Sequence, residues 1–168
     1  MSAINFNDNA GLFYAFMRKI AETHADIQHV DEKNKHFYRG ELEEFFMGLR
    51  TKVKFPALVV EGFELNYSEN QNTFKHRESA FTVIFSYANK DDYEAITDCF
   101  SRSEEIGDEI INYMKAYGKK LACQVRIKNV NALQIQNETE KYAGVRFSFS
   151  VEKLHKTSTT ASKWLNQE

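Results

Sequence analysis

The chain has 168 residues, of which 42% are hydrophobic, 14% aromatic and 27% charged, so one globular domain with a continuous core is expected. Its 22 basic and 24 acidic residues leave a formal net charge of -2. Neither sign forms a long block, and this argues against a nucleic-acid or membrane partner. We expect residues 1–155 to form the domain and the polar stretch 156–168 to be a mobile tail.

Two cysteines, Cys99 and Cys123, follow no metal-binding or redox spacing. They are expected to be reduced, partly buried thiols. The first nine residues have neither the basic nor the apolar segment of a secretion signal, and no run approaches the roughly 18 apolar residues of a membrane span. We therefore expect a cytoplasmic protein that is not exported by the usual signal.

A first helix is predicted by the apolar stripe that runs through Leu12, Phe16 and Ile20. The Asn and Asp side chains of segment 7–9 are candidates for its N-terminal cap. The polar region 25–34 follows, and the HFYR sequence after it is read as a short strand.

A second helix is predicted over residues 42–53, within a stretch that looks at first like a catalytic cluster. Residues 35–50, KHFYRGELEEFFMGLR, hold a histidine, two arginines and three glutamates. However, Leu42, Phe45, Phe46, Leu49 and Val53 repeat at helical spacing, and the glutamates precede the basic residues along the helix, as its dipole favours. The packing interpretation is therefore favoured over the catalytic one.

Strands dominate the rest of the chain, with one long helix between them. Pro56 breaks the second helix, and strands are predicted over residues 57–67 and 79–88. A helix follows over 91–117, with Asp91 and Glu94 as its capping pair and Gly118 as its stop.

The last two strands are predicted over residues 121–136 and 143–154 and are joined by the polar NETEK sequence. Residues 143–154 alternate cleanly between apolar and polar. In the strand before them Val125 and Ile127 share one parity and Val130 the other, which predicts a bulge near Asn129.

The order of elements predicts an α+β fold. It consists of a mostly antiparallel sheet of about four strands, a long helix packed across one face, and two N-terminal helices. Ile84 interrupts the polar face of its strand, between Thr82 and Ser86, so that face is expected to be partly covered. The uncovered apolar area is expected to be available to a neighbouring subunit.

Metal and catalytic chemistry are not predicted. His24 and His29, with Asp26 and Asp31, are the only metal-like grouping, and the two histidines are five residues apart across a helix end. No nucleophile motif or glycine-rich phosphate loop is present. We expect no catalytic, cofactor-binding or metal-binding residues and no enzymatic activity.

Several charged or aromatic residues have simpler explanations than a binding site. Asp91 with Asp92, and Glu104 with Glu105, are neighbours that diverge on a helix, so they are read as a cap and a solvated face. The basic group at 75–77 is read as a charged edge that discourages strand pairing, with contact to an acidic surface as the alternative. Trp164 either docks onto the domain or anchors a partner.

The succession of elements resembles a known family. Its likeness lies in ELEEFFMGLRTKVKFPALVVEGFEL, RESAFTVIFSYANKDDYEAITDCF, SEEIGDEIINYMK and YAGVRFSFSVEK, and covers roughly residues 9–154. In this order and texture the chain resembles the tail-terminator and tail-completion proteins of tailed phages, of prophages and of contractile injection systems. The N-terminal part before Pro56 is longer than in many of these proteins.

The resemblance implies a structural subunit of a phage or tail-like particle. Subunits of that family form a ring, usually of six, at the end of the tail tube, and the expected partners are copies of the chain and other tail or head-joining proteins. Loop 68–73 and the NETEK sequence are expected to reach across the contact and to order on assembly.

Two alternatives stay open. One is a small-molecule-binding α+β domain or enzyme with a cavity lined by Phe81, Phe85, Tyr113 and Phe147. The other is a regulatory or adaptor protein that binds a partner chain through an exposed edge strand.

Overall fold

A computed structural model describes residues 5–30, 34–41, 45, 53–68, 74–121 and 125–154. Within these ranges the chain has an α+β architecture, with two helices on one face of a mixed five-stranded sheet. The elements in chain order are α1 (Ala10–Thr23), β1 (Phe37–Arg39), β2 (Ala57–Ser68), β3 (Phe74–Ser86), α2 (Tyr93–Lys120), β4 (Val125–Asn137) and β5 (Tyr142–Leu154).

The order of strands in the sheet is β1-β2-β3-β5-β4. β1 runs parallel to β2, and the other three pairings are antiparallel. The prediction of four antiparallel strands is therefore wrong in detail. The HFYR sequence does form a strand, held on β2 by the Leu58 amide, which donates to the carbonyl of His36 at 2.7 Å, and by the Gly40 amide, which donates to Val60.

The helices start where polar side chains can accept from free amides. Asn9, one of the three cap candidates in segment 7–9, caps α1 by accepting from the Leu12 amide at 2.9 Å. α2 is capped by Asp92, which accepts from the Ala95 amide at 3.0 Å, and not by Asp91.

Gly118 does not end α2, which continues to Lys120. A Cβ at this position would stand 2.8 Å from the carbonyl oxygen of Val125. The glycine is therefore required for close contact between the helix and β4, and the prediction of a helix stop here is wrong.

One N-terminal helix, α1, lies within the described residues. Most of the predicted second helix, residues 42–44 and 46–52, lies outside them. Phe45 is described: it is 5% exposed, and its amide donates to the Glu41 carbonyl. Phe45 thus belongs to the interior, as its spacing predicted.

The main core lies between the helices and the inner face of the sheet. Phe13 and Met17 of α1 and Ile110 and Met114 of α2 are almost fully buried there. From the sheet, the alternating positions of β3 and β5 point into it, namely Phe81, Val83, Phe85, Val145, Phe147, Phe149 and Val151. The period of two in β5 was therefore assigned to the correct face.

The outer face of the sheet is partly covered by a second, smaller cluster. It consists of Tyr38, Phe45, Ala57, Val59 and Ile84, all buried. The expectation that this face is partly covered is confirmed. The expectation that Ile84 would leave apolar area for a neighbouring subunit is wrong, since Ile84 is 0% exposed within its own chain.

The predicted bulge in β4 is confirmed. The pairing with β5 shifts between Lys128 and Asn131, and Asn129 has a φ of 51°. Because of the extra residue, Val130 packs against the same core as Ile127. β2 has a comparable shift between Val60 and Phe63, and both of these residues pack against the main core, whereas Glu61 continues the outer-face positions of Ala57 and Val59.

Candidate functional site

The histidines considered for a metal site lie apart and have separate partners. His24 faces Glu109 on α2, with 3.0 Å between Nε2 and Oε2. His29 is 4% exposed, packs beside Phe37, and accepts from the His36 amide. Among the described residues, no three His, Cys, Asp or Glu side chains converge to hold a metal ion. Asp31 lies outside those residues.

The aromatic residues considered for a ligand cavity do not enclose one together. Phe81 and Phe147 stack on each other, with 5.2 Å between centroids, and are 0% and 1% exposed. Arg102 lies over Phe85 at 4.2 Å. Tyr113 is half exposed and stacks on Phe16. Phe81 and Phe147 thus pack on each other, while Phe85 and Tyr113 contact other residues.

Cys99 is 6% exposed, and burial raises the pKa of its thiol. A thiol in this state is poorly nucleophilic, so packing explains it. Cys123 and Trp164 lie outside the described residues.

The basic group at 75–77 is not a charged edge, because β3 lies in the middle of the sheet between β2 and β5. Arg77 is 0% exposed on the inner face, and burial lowers the pKa of its guanidinium. It stacks on Phe63 at 3.9 Å, and its Nε donates to Asn7 at 2.9 Å. Nη1 and Nη2 have no hydrogen-bond partner among the described residues. Arg77 thus anchors the segment before α1 onto the sheet.

A polar groove of about 390 Å³ crosses the outer face of the sheet. At one end Glu61, 7% exposed, binds Arg146 in a bidentate ion pair, with 2.6 Å from Nε to Oε1 and 2.7 Å from Nη2 to Oε2. The bond to Glu61 raises the pKa of Arg146. Both residues are fully engaged with each other, so this pair is a structural cross-link between β2 and β5.

Within the described part of the chain, the second half of β4, residues 131–137, is an open edge of the sheet. Within the described residues β4 pairs only with β5. Leu133 is 62% exposed, and the segment NALQIQN contains no charge. Edge strands of this kind usually carry lysine, proline or a bulge that blocks pairing with another chain. Here the bulge at Asn129 precedes the open segment and does not block it.

A basic groove of about 530 Å³ lies between α1 and β1. Arg18, Lys35 and Arg39 supply its charges, and all three are exposed. Arg39 lies over the ring of Tyr14 at 3.7 Å, and Lys35 over that of Tyr38 at 5.0 Å. Arg18 also pairs with Glu22 at 3.0 Å. The groove therefore presents ordered cations on an aromatic floor.

The first half of α2, residues 93–109, has the opposite character. It holds six acidic residues, Glu94, Asp98, Glu104, Glu105, Asp108 and Glu109, against the single base Arg102. Of the six, Asp98 pairs with Arg102 at 3.7 Å and Glu109 with His24. We call residues 93–109 the acidic half of α2; all six of its acidic residues are exposed.

Three of these features were missed in the sequence. Continuing the alternation of Phe81 and Val83 backwards places Arg77 on the inner face, so its burial could have been predicted from the sequence. The Glu61–Arg146 pair joins residues 85 positions apart across a β-bulge, and nothing local indicates it. The basic groove combines α1 with β1, and only the tertiary arrangement shows it.

The chain matches no protein-family model, and no curated protein matches it. Within the described ranges, no helix has both the length and the apolar surface that crossing a bilayer requires. The geometry of the surfaces themselves is therefore the basis for a functional proposal.

Proposed function

We propose that this chain is a structural subunit that assembles with copies of itself into a ring, as the tail-terminator and tail-completion proteins that it resembles do at the end of a phage tail tube. Its partners are its own copies and other tail or head-joining proteins. The subunit is made in the cytoplasm and acts there by assembling into a virion or tail-like particle. Its surface does the work, and no reaction centre is involved.

The open edge of β4 is the observation that supports this proposal. Residues 131–137 present backbone N–H and C=O groups that β5 does not use, next to an exposed Leu133. A strand from another chain would satisfy those groups and cover the leucine. An uncharged, unblocked edge of this length is an aggregation hazard in a monomer, and assembly removes that hazard.

The turn at 138–141 adds a preformed shape beside this edge. The Tyr87 amide donates to the Lys141 carbonyl, and Lys141 Nζ donates to the Ala88 carbonyl at 2.8 Å. The NETEK sequence is thus held by hydrogen bonds within the single chain, which argues against the expectation that it orders only on assembly, and it offers a formed contact to a neighbour. Residues 69–73 of the other loop lie outside the described residues.

The oligomeric state of the full chain tests the proposal. We expect light scattering and native mass spectrometry to find a closed oligomer, and electron microscopy to find rings. Leu133→Lys places a charge on the edge and should shift the chain towards monomer. Val30→Lys is the matched control, since Val30 is also an exposed apolar residue, at 51%, and lies away from β4.

Two outcomes would contradict the proposal in different ways. A strict monomer at high concentration, with no cross-linking to tail-tube protein, would overturn the assembly function. Rings that form equally well with Leu133→Lys would keep the function but exclude the β4 edge as its contact.

The second candidate function is an adaptor that binds a different protein by adding a strand to the same edge. The unblocked segment 131–137 supports this too, because its backbone groups do not select the identity of the added strand. A monomeric chain whose binding to a captured partner is abolished by Leu133→Lys would favour the adaptor over the ring.

A further inference from the structure

We infer that successive copies in the assembly meet through a charge-paired contact, in which the basic groove of one copy receives the acidic half of α2 of the next. This inference rests on the proposed self-assembly and names two charged surfaces that contribute to it in addition to the open edge of β4. The partner is a second copy of this chain, and the two surfaces in contact are different, as ring closure requires.

The basic groove has two positive charges that no described carboxylate neutralises. Among the described residues, neither Lys35 nor Arg39 lies within ion-pair distance of a carboxylate, and both are exposed. Each side chain is instead held over a tyrosine ring. Because the rings already restrict these side chains, less conformational entropy is lost when the cations bind a carboxylate. The groove is thus preorganised for an acidic partner.

The acidic half of α2 has the matching excess. Glu94, Glu104, Glu105 and Asp108 are exposed and make no ion pair within the described part of the chain. Glu104 and Asp108 are four residues apart, so they stand one turn apart on the same side of the helix. Their mutual repulsion is relieved when cations dock between them.

The placement of the two surfaces favours contact between copies over contact within one copy. The basic groove lies at the β1 edge of the sheet, between α1 and β1. α2 packs on β3, β5 and β4, towards the opposite edge. A subunit that carries complementary surfaces on different sides can add head to tail and close a ring.

The occupant of the groove is better matched by a protein helix than by nucleic acid. Three cations, one already paired with Glu22, are few for a phosphate backbone, where binding typically neutralises about 6–10 charges. The chain itself supplies an acidic helix on which four carboxylates make no ion pair with any described residue. Charge complementarity of this kind also fixes the register of an interface.

A charge-swap experiment tests the inference. One variant combines Lys35→Glu with Arg39→Glu, and the other combines Glu104→Lys with Asp108→Lys. Each variant alone brings like charges together, so the concentration for half-assembly should rise more than about tenfold. In an equimolar mixture, opposite charges meet again at every contact, and assembly should return.

A matched control uses charge reversal elsewhere on the exposed surface. Lys119→Glu with Lys120→Glu changes the net charge by the same amount as the groove variant but lies at the far end of α2. It should assemble like the wild-type chain. Far-UV circular dichroism of all variants confirms that each is folded.

The outcomes are distinguishable from those that bear on the proposed function. If the wild-type chain forms rings and either variant assembles as well as it does, this inference is wrong and the function stands. If both variants dissociate and their mixture does not recover, the two surfaces do not meet each other, and the inference is again overturned. A wild-type monomer overturns both.

A second measurement does not depend on the variants. A zero-length carbodiimide reagent joins an amine to a carboxylate only when they touch. In a mixture of isotopically light and heavy chains, we expect a cross-link between Lys35 and Glu104 or Asp108 that carries one light and one heavy peptide. Cross-links of Lys35 confined to a single chain would contradict the inference.

Discussion

Gly107 sets how closely α2 approaches the sheet, and its replacement by alanine gives the sharpest test of the packing. A Cβ at this position would stand 2.7 Å from Cδ2 of Phe147 and closer still to Cε2 and Cζ. Carbon atoms attract best at about 3.5–4.0 Å. Phe147 cannot retreat, because it is 1% exposed and stacks on Phe81 at an interplanar angle of 14°. The helix must therefore lift from the sheet.

The expected cost follows from two opposing terms. Alanine in a helix interior is favoured over glycine by about 1 kcal/mol. Forcing an extra carbon into a filled core costs about 1–3 kcal/mol or more, and overlap with a rigid ring lies at the upper end. We expect Gly107→Ala to lower the free energy of unfolding by roughly 2 kcal/mol, which corresponds to about 4–8 °C in the melting temperature.

Urea unfolding followed by circular dichroism measures this change. Gly11→Ala is the control, since among the described residues a Cβ there contacts a single atom, Oδ1 of the capping Asn9, at 3.3 Å. Its effect should stay within about 0.5 kcal/mol. In a Phe147→Leu background the overlap is relieved, so Gly107→Ala should cost much less there. Gly107→Ala as stable as the wild-type chain, or the same loss in both backgrounds, would refute the reasoning.

Two further predictions concern charged groups. Glu61→Gln removes one charge of the bidentate pair with Arg146 and should lower the unfolding free energy by about 1–3 kcal/mol in urea titrations. Glu64 lies on the same strand, is exposed and makes no ion pair with a described residue, so Glu64→Gln should change the unfolding free energy by less than about 0.5 kcal/mol. Equal effects of the two substitutions would contradict the importance of the Glu61–Arg146 pair. Burial, aided by nearby Arg18, lowers the pKa of His29. Below about pH 6.5 the native state therefore binds fewer protons at this residue than the unfolded state does. The contribution of His29 to stability is present above that pH and is lost as the pH falls below it. His29→Asn should therefore flatten the dependence of stability on pH between about 7 and 5, and a curve parallel to that of the wild-type chain would count against this assignment.

The sequence predicted best those features that depend on local periodicity. The alternation in β5, the cap at Asn9 and the bulge near Asn129 each depend on a few neighbouring residues, and all three are found in the structure. The α+β class followed from the order of such segments.

The features that failed depend on residues far apart in the chain. The short strand at HFYR was predicted, but its parallel pairing with β2 was not, because three residues carry no signal that names the partner strand or its direction. Ile84 looked available to a neighbour because nothing near it in sequence indicates that Phe45 and Tyr38 cover it.

Of the two charged surfaces, the acidic half of α2 could be partly predicted from the sequence, but the basic groove could not. Glu104 and Glu105 were recognised as a solvated face, and the structure places them on the acidic half of α2. The groove that we propose as their partner surface lies between Arg18 of α1 and Arg39 of β1, so it depends on tertiary packing. Charge complementarity between two surfaces becomes visible only when both have been formed.

The extra residue at the β4 bulge changes which residues of the strand point to each face of the sheet. Before it, Val125 and Ile127 turn towards α2; after it, the phase is reset, and Leu133 points to the outer face beside Arg146. Deletion of one residue at this point would exchange the two faces for the rest of β4, so that Leu133 would turn inward and Gln134 and Gln136 outward. The loss of one codon at Asn129 would thus change which side chains are presented along the whole open edge of β4. Most substitutions along that edge would alter one contact at a time.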